Sequence, residues 1–494
     1  MRSQVQTGHR TVPREKSFAN ESQSGAKVSS GNRNHPAEHG IQLEMNKEFI
    51  TQGGLPITSE LATDLRNLIF GTAAIPMRAE WLQTSFVFGA PKEELAYGLR
   101  SPRNATRGLL SVVQGFVLKY LLFARKTSRV AALTDPLLAN AEMQREALFC
   151  ALVEILRTIS DKGKVTMVLP SEDEVFVDHS ASYFHDSVTE KLYVFTLSPN
   201  EELEHFMKRN FKYFSEEETP GTLLFLYSAV LTRSMGKVRT DLDSSKSSPL
   251  TMSNHEEGSL MIVTLLLTGR ATPYIHNGVV NVGDESSYAV PQYGVLKRCM
   301  IGLLLWDIES SSAAVNQSRQ PGSRLKTPNY PIWVTSCTGH YGVVFNRNPD
   351  LLRNYHAESR FDVNYYSCSG HQIQMTIDNR TYNEQALVML ERQPITPEGT
   401  SMAGKPAGKD GEASAAAAPT PGGGAPAGGG VGAASGGGVG GAASGASGSS
   451  DVVAKEESTL NTPLQRLIRT KWEEATISFH VQPSMLSYLF STTQ

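Results

Sequence analysis

The stretch that decides the fold is Tyr97-Gly98-Leu99-Arg100-Ser101-Pro102-Arg103-Asn104-Ala105-Thr106-Arg107-Gly108, which continues directly into residues 109–123. Gly, Pro, Asn and Arg dominate its first part, which predicts a loop. Its second part predicts a helix, because apolar residues recur there at helical spacing: Leu109, Val113, Phe116 and Tyr120. Further apolar residues stand beside this line, so the helix is apolar nearly all round. We therefore expect it to be buried at the centre of the domain.

Composition narrows the class of protein. The chain has 494 residues, a formal net charge of -3 and 40% hydrophobic residues, which indicates a soluble protein without the basicity of a nucleic-acid binder. The N-terminus lacks the apolar segment of a signal peptide, and no run approaches the ~18 apolar residues of a membrane span. We expect a cytoplasmic or nuclear protein with no nucleic-acid or membrane partner.

The spacing of the cysteines also bears on the cellular compartment. Four of them are scattered along the chain without CxxC pairing, namely Cys150, Cys299, Cys337 and Cys368. This pattern indicates neither a disulfide scaffold nor a zinc site and favours a reducing compartment. We expect no metal and no cofactor.

The organisation of the chain follows from its composition. Residues 1–57 lack the apolar density that a core requires, so we predict a disordered tail followed by one domain over 58–494. A run of Gly, Ala, Ser and Pro at 397–453 predicts a flexible insertion within that domain. Helical patterns dominate the first half and alternating strands the second, without repeated βα units or a Gly-rich phosphate loop. The expected fold class is α+β.

Particular segments carry these expectations. Helices are predicted at 59–70, with Ser59 as the N-cap, and at 142–159, 201–211, 221–233 and 259–267. Strands are predicted at 81–88, 165–169, 192–197, 331–336, 341–345, 360–366 and 372–378. A further packed element is expected at 460–479.

A loop that enters a buried helix is the layout that papain-like cysteine hydrolases use to activate a thiol. The helix dipole and its free amide groups favour the thiolate, and a histidine on another element acts as the base. His340 lies at a predicted strand junction and suits the role of base. A lone histidine in such a position is more commonly structural, and the sequence by itself leaves both roles open.

Several short segments, taken in order, resemble the MINDY family of deubiquitinases, in particular the branch formed by its third and fourth types. They are Tyr97-Gly98-Leu99, Gly108 to Gln114, Leu267-Thr268-Gly269-Arg270-Ala271, Leu325-Lys326-Thr327-Pro328, Pro331 to Val334, His340 to Phe345 and Ile468 to Trp472. The resemblance implies a papain-like fold in a single domain and a partner that is ubiquitin or a lysine-linked ubiquitin chain.

The resemblance also assigns roles to three positions. Family members carry Gln, five further residues and then Cys-Gly before the helix, which places the oxyanion Gln at Ser101 and the nucleophilic Cys at Arg107. The general-base histidine falls on His340. A guanidinium keeps its proton up to a pKa above ~12 and cannot attack an isopeptide carbonyl. The chain thus looks most like an inactive form of the fourth type, with an arginine in place of the nucleophile.

Three functions remain open from the sequence. The first is a catalytically inactive relative, a pseudoenzyme that binds ubiquitin chains; Arg100, Arg103 and Arg107 could then hold a carboxylate, or form only a solvated charged loop. The second is an active thiol-dependent hydrolase of the lysine-linked chains that target proteins to the proteasome, with Cys337 as a relocated nucleophile. The third is a structural scaffold unrelated to ubiquitin.

Overall fold

The computed structural model describes residues 53–101, 105–124, 135–242, 249–251, 259–283, 290–306, 320–380 and 462–480. Residues 1–52 of the expected tail and the expected insertion at 397–453 lie outside the described residues. The first described strand precedes the expected domain start at residue 58, because Leu55–Pro56 pairs with the strand Leu192–Leu197.

The helices of the described chain are α1 (Ser59–Phe70), α2 (Ala79–Gln83), α3 (Arg107–Lys119), α4 (Ala141–Ser160), α5 (Glu201–Arg209), α6 (Lys212–Ser215), α7 (Gly221–Arg233), α8 (Met235–Asp241), α9 (Leu260–Thr268), α10 (Ser323–Lys326) and α11 (Pro463–Arg469). A π-helical turn, Tyr120–Ala124, extends α3, and short 3-10 turns lie at Thr189–Lys191 and Pro349–Leu352.

The strands are β1 (Leu55–Pro56), β2 (Val87–Phe88), β3 (Leu99–Arg100), β4 (Val165–Pro170), β5 (Leu192–Leu197), β6 (Val279–Val282), β7 (Val290–Tyr293), β8 (Gly302–Trp306), β9 (Ile332–Cys337), β10 (His340–Phe345), β11 (Arg360–Ser367), β12 (His371–Asp378) and β13 (Thr476–Phe479). They form a six-stranded sheet in the order β13-β12-β11-β10-β9-β8, a three-stranded sheet β1-β5-β4, and the ribbons β2-β3 and β6-β7. Helices and strands are mixed, as the α+β expectation requires.

Most of the predicted elements are confirmed, and the exceptions have local causes. The expected strand at 81–88 is wrong in its first part, because Trp81 belongs to α2 and packs its buried ring edge-on against Phe70. The expected helix at 201–211 is divided into α5 and α6 near Asn210. The N-cap of α1 is Thr58, whose hydroxyl accepts a hydrogen bond from the Leu61 amide, and Ser59 is the first helical residue.

The six-stranded sheet is packed on both faces. Helix α3 contacts β9 and β10 on the face that carries Val334 and Val343. The opposite face carries Trp333 and Val344, and it packs against α11 and Trp472. Burial on both faces makes this sheet the centre of the domain and fixes which side chains can meet α3.

Helix α3 is the central helix that the sequence predicts. Among the described residues, the stretch Arg107–Ala124 has the length and hydropathy of a membrane span, yet 72% of it is buried inside the fold. Gly115 permits this packing, since a Cβ at that position would lie 2.5 Å from the Ile301 side chain. The apolar surface of α3 is thus accounted for by the core of the domain.

Candidate functional site at the start of helix α3

Arg107 is the first residue of α3. The preceding Thr106 is fully buried in a helical conformation, with φ -98° and ψ -4°, and its side chain makes no capping hydrogen bond to the helix. The first turn contains no acidic residue. A positive side chain at a helix N-terminus is unfavourable by about 0.3–1 kcal/mol when it is exposed. The start of α3 therefore lacks the usual local stabilisation and depends on its surroundings.

Gln114 connects α3 to the loop that precedes it. Its Oε1 accepts a hydrogen bond from the Leu99 amide at 2.6 Å, and its Nε2 donates to the Tyr97 carbonyl at 3.0 Å. The Gln114 side chain is fully buried, so these two bonds satisfy backbone groups that water cannot reach. The residues ahead of the site are thereby held at a fixed distance from the helix.

The sheet holds the same loop from its other side. The Tyr366 hydroxyl donates to the Leu99 carbonyl at 2.9 Å, and the Tyr97 hydroxyl donates to Gln372 Oε1. A Cβ on Gly98 would lie 2.3 Å from the Tyr366 oxygen, which explains the glycine there. Burial raises the pKa of both tyrosines above that of free tyrosine, so both remain neutral donors near pH 7.

Ser101 lies in this framework rather than at the surface. Its amide donates to the Cys368 carbonyl at 2.7 Å, and its Oγ lies 3.4 Å from the Thr106 hydroxyl. The residue is 1% exposed. Cys368 also brings its sulfur to 4.0 Å from the Ser111 hydroxyl, one turn into α3. The position implied for the oxyanion donor thus lies beside the start of α3, and a thiol lies nearby.

Strand register shows that Arg107 and His340 lie at the same end of the sheet. Cys368 directly follows β11, whose Tyr366 pairs with Val343, so Cys368 lies toward the end of β10 where His340 begins. Ser111 contacts Cys368, whereas Gly115 approaches Ile332, which pairs with Phe345 at the opposite end of β10. Helix α3 therefore starts at the His340 end of the sheet.

Helix α3, which begins with Arg107, and the Cβ of His340 lie on opposite faces of the six-stranded sheet. His340 pairs directly with Cys337, and Cys337 packs in the cluster of Trp333 on the face opposite α3. Directly opposed residues on neighbouring strands share a face, so the His340 Cβ lies on that opposite face at the tip of the hairpin. The turn Thr338-Gly339, with φ of 50° and 83°, leads directly into it. A role of His340 as a base for the start of α3 stays a prediction.

All four cysteines of the chain lie within the described residues, as thiols. Burial raises the pKa of Cys150 to about 11 and that of Cys299 to about 12, which keeps both protonated near pH 7. Cys337 and Cys368 are 2% and 1% exposed. Each thiol is therefore either protonated or enclosed in the core.

Three side chains that build the site are absent from the sequence prediction: Gln114, Tyr366 and Cys368. Gln114 lies in a quoted segment of the family resemblance, and its signal in the sequence is an amide side chain within a largely apolar helix, which needs buried hydrogen-bond partners. Tyr366 and Cys368 reach the site only through strand pairing, which the sequence does not encode locally. Of the loop arginines, Arg100 is exposed at the end of β3, and Arg103 lies outside the described residues.

A separate buried cluster, here called the charged region, lies beneath α1 and consists of Arg66, Asp186 and Glu190. Arg66 Nη1 lies 3.4 Å from Asp186 Oδ2, with both side chains 1% exposed. Arg66 also donates to the carbonyls of Phe184 and Ile75. Burial and the nearby Glu190 raise the pKa of Asp186. Within the described residues no group of three His, Cys, Asp or Glu side chains is arranged to hold a metal ion.

The chain matches known proteins over most of this fold. The family described as "Deubiquitinating enzyme MINDY-3/4, conserved domain" matches residues 66–481. Probable ubiquitin carboxyl-terminal hydrolase MINDY-4 of Bos taurus is 31% identical over 326 residues, which are 65% of this chain and 41% of that protein. The Homo sapiens protein of the same name is 30% identical over the same shares.

Ubiquitin carboxyl-terminal hydrolase MINDY-3 of Homo sapiens is 25% identical over 336 residues, 60% of this chain and 67% of that protein. The aligned part of this chain thus spans about two fifths of the MINDY-4 relatives. No solved structure matches the chain significantly. With 66–481 covered by a single family, this chain belongs to the MINDY-3/4 family of deubiquitinating-enzyme domains.

Proposed function

We propose that this protein is a catalytically inactive, papain-like relative of the MINDY deubiquitinases that binds ubiquitin or lysine-linked ubiquitin chains without cleaving them. The observation that carries the proposal is Arg107 at the first position of α3. In cysteine hydrolases of this layout a thiol at the helix N-terminus is the nucleophile, and a guanidinium cannot replace it. Within the family, the chain would then be an inactive version of the fourth type.

The state of the cysteines supports the loss of catalysis. A nucleophilic thiol needs both access to the substrate and a lowered pKa. Cys337 is enclosed in the Trp333 cluster, and Cys150 and Cys299 have raised pKa values. Cys368 is near the start of α3 but is 1% exposed. The relocated nucleophile that an active hydrolase requires thus has poor candidates in this chain.

The intact framework supports retained binding. Gln114, Tyr366 and Gln372 still hold the loop at Tyr97 and Leu99, although the residues implied for chemistry are replaced. Arg100 and Arg107 add positive charge to that loop, and a planar guanidinium suits a carboxylate such as the one at the end of a ubiquitin chain. The expected cytoplasmic or nuclear location remains a prediction, and the presence of the four cysteines as thiols agrees with it.

A ubiquitin probe with a thiol-reactive C-terminus tests the loss of catalysis. The wild-type chain should form no covalent adduct, whereas the double variant Ser101→Gln, Arg107→Cys restores both family residues and serves as the positive comparison. A wild-type adduct that disappears in Cys368→Ala or Cys337→Ala would overturn the proposal in favour of an active thiol hydrolase.

Calorimetry with lysine-linked ubiquitin chains tests the binding part. We expect measurable heat from the wild-type chain and weaker binding by Arg100→Gln, Arg107→Gln. Exposed Arg239→Gln, far along the chain on α8, is the control and should bind as the wild type does. No heat at high chain concentration would leave the fold without its proposed partner and would support the scaffold function.

A further inference from the structure

A basic cavity lies where the C-terminal ends of α4 and α9 meet the segment before β8. Its volume is about 280 Å³, and its lining includes Asp161, Lys162, Gly269, Arg270, Lys297 and Arg298. Gly269 has φ +78°, and a Cβ there would lie 2.7 Å from the Thr158 carbonyl, so glycine lets the two helix ends meet. Phe116 also lines the cavity, and it lies nine residues beyond Arg107, about 13 Å along α3. The cavity is therefore separate from the start of α3.

Positive charge dominates the cavity. Six cationic side chains line it, Arg157, Lys162, Arg233, Arg270, Lys297 and Arg298, against a single lining carboxylate, Asp161. Two further carboxylates lie outside the lining and pair with these cations: Glu204 with Arg157, and Asp241 with Arg233 and Arg270. Three carboxylates against six cations leave an excess of three positive charges.

Part of this charge has a structural purpose. Arg157 and Arg233 stand in the last turns of α4 and α7, where a cation offsets the partial negative charge of the helix end. Arg233 Nε binds Asp241 Oδ2 at 2.8 Å, and Arg157 Nη2 binds Glu204 at 2.8 Å. These two arginines are held by the protein itself.

The buried Asp241 cannot neutralise the rest. Its carboxylate accepts from Arg233, from Arg270 Nη2 at 3.0 Å and from the Ala271 amide, and its side chain is 1% exposed. Arg270 retains a buried Nε that meets no acceptor among the described residues. A buried N–H without an acceptor is unfavourable, and an oxygen of a bound ligand would satisfy it.

The remaining cationic side chains, Lys162, Lys297 and Arg298, form weaker ion pairs or none among the described residues. Lys297 lies 3.5 Å from Asp161, but both side chains are more than 70% exposed, and solvent screening makes such pairs weak. Lys162 and Arg298 form no ion pair within the described part of the chain. Lys162, Lys297 and Arg298 thus border one small cavity with weak ion pairs or none among the described residues. Beside them lies Arg270, which pairs with Asp241 and stands 5.1 Å from the centre of the Tyr293 ring.

We propose that this cavity binds a small anion with two or more phosphate groups. Excess positive charge suits a multivalent anion, and guanidinium groups favour phosphate oxygens. The volume is just below that of pockets for drug-sized ligands, which favours a compact ligand. Leu296 and Phe116 add an apolar border. The segment Leu267-Thr268-Gly269-Arg270-Ala271 thereby gains a function separate from ubiquitin binding.

Calorimetry of the full chain with inorganic pyrophosphate and with inositol hexakisphosphate tests the proposal, with sulfate at matched ionic strength as the reference. We expect both phosphate probes to bind and the double variant Lys162→Gln, Arg298→Gln to bind them about tenfold more weakly or worse, since each lost charge-assisted contact weakens affinity. The control Arg239→Gln removes an exposed cation elsewhere and should bind as the wild type does.

Phosphatidylcholine vesicles with and without phosphatidylinositol bisphosphate identify the source of the phosphates. Binding to the free probes alone supports a soluble ligand, whereas additional binding to the phosphoinositide vesicles supports a lipid headgroup in the same cavity. No heat from either free probe, or equal affinity in the wild type and the Lys162→Gln, Arg298→Gln variant, would overturn the site.

Discussion

Two buried polar regions of this molecule are built from different chemistry. The neutral region at the start of α3 consists of Tyr97, Leu99, Gln114 and Tyr366, joined by hydrogen bonds between uncharged groups. The charged region beneath α1 joins Arg66, Asp186 and Glu190. The comparison teaches that the framework around the start of α3 does not depend on charged side chains. It can therefore persist whichever residue occupies the first position of the helix.

The largest expected effect comes from breaking the charged region. Arg66→Met should lower the free energy of unfolding by about 3–5 kcal/mol, because it leaves a buried carboxylate without its cation. Arg239→Met is the matched control: Arg239 lies 3.4 Å from Asp64, the same separation as in the buried pair, but both side chains are more than half exposed. That control should cost less than about 1 kcal/mol in urea denaturation. Equal losses in the two variants would show that burial does not distinguish these pairs.

Disrupting the neutral region should lower the free energy of unfolding by a somewhat smaller amount. Gln114→Leu removes the partners of the Leu99 amide and the Tyr97 carbonyl, both buried, and we expect a loss of about 3 kcal/mol from two unsatisfied groups. Urea denaturation measures it. The loss should be the same at pH 5 and pH 8, since no group of this region titrates there. A loss below about 1 kcal/mol would mean that other groups hold the loop.

Gly98→Ala tests the packing of the neutral region, because it adds a methyl group and removes no hydrogen-bonding side chain. The new methyl group meets the Tyr366 hydroxyl and should cost about 2 kcal/mol, in the range of overpacked cores. Gly236→Ala is the control, because nothing lies within 4 Å of a Cβ there and α8 is helical. That variant should be neutral or slightly stabilising. Thermal denaturation measures both variants, and equal melting temperatures would show that the loop accommodates a methyl group beside Tyr366.

The smallest expected effect is a dependence on pH. The pKa of Asp186 is raised from 3.8, so the unfolded chain releases its proton before the native chain as the pH rises. The native state then binds more protons, and stability falls with rising pH by at most about 1.4 kcal/mol per pH unit from this one group. Asp186→Asn should flatten that fall in melting temperatures measured between pH 4 and pH 6.

Asp378 serves as a control, because its pKa is lowered whereas that of Asp186 is raised. The hydrogen bond from Arg380 lowers the pKa of Asp378 to about 2, so its contribution is present above pH 3.8 and disappears as the pH falls toward 2. Asp378→Asn should leave the slope between pH 4 and pH 6 unchanged. A flattened slope in this variant, or an unchanged slope in Asp186→Asn, would contradict the assignment to the charged region.

Much of the fold follows from local sequence patterns. Helix α3 and the strand pair β9-β10 are predicted by apolar periodicity, because each has a strongly patterned stretch ended by turn residues. The first part of 81–88 is wrong, since the aromatic ring of Trp81 suits a buried helix face as well as a strand. Alternation in so short a segment does not separate the two.

The site is only partly predictable, and the reason is its dependence on register. Ser101 and Arg107 are adjacent to α3 in sequence, so their place near the helix start follows from local structure. Cys368 reaches Ser101 only through the pairing of β10 with β11. The face of His340 follows from its pairing with Cys337, and a shift of one residue would have reversed it. Local sequence patterns do not predict which strands pair, or in which register.

The pairing of β13 with β12 has a consequence for where the chain can be cut. Thr476 lies opposite Asp378, and the ring of Trp472 meets Trp333 edge-on. Residues 462–480 thus complete a sheet whose preceding strand, β12, ends almost a hundred residues earlier. The described contacts that hold them to the domain are ladder hydrogen bonds and packed rings between residues on either side of the interval 381–461. A protease cut in that interval would leave two fragments that remain associated. A chain that ends before residue 462 would instead present a bare strand edge and an uncovered tryptophan.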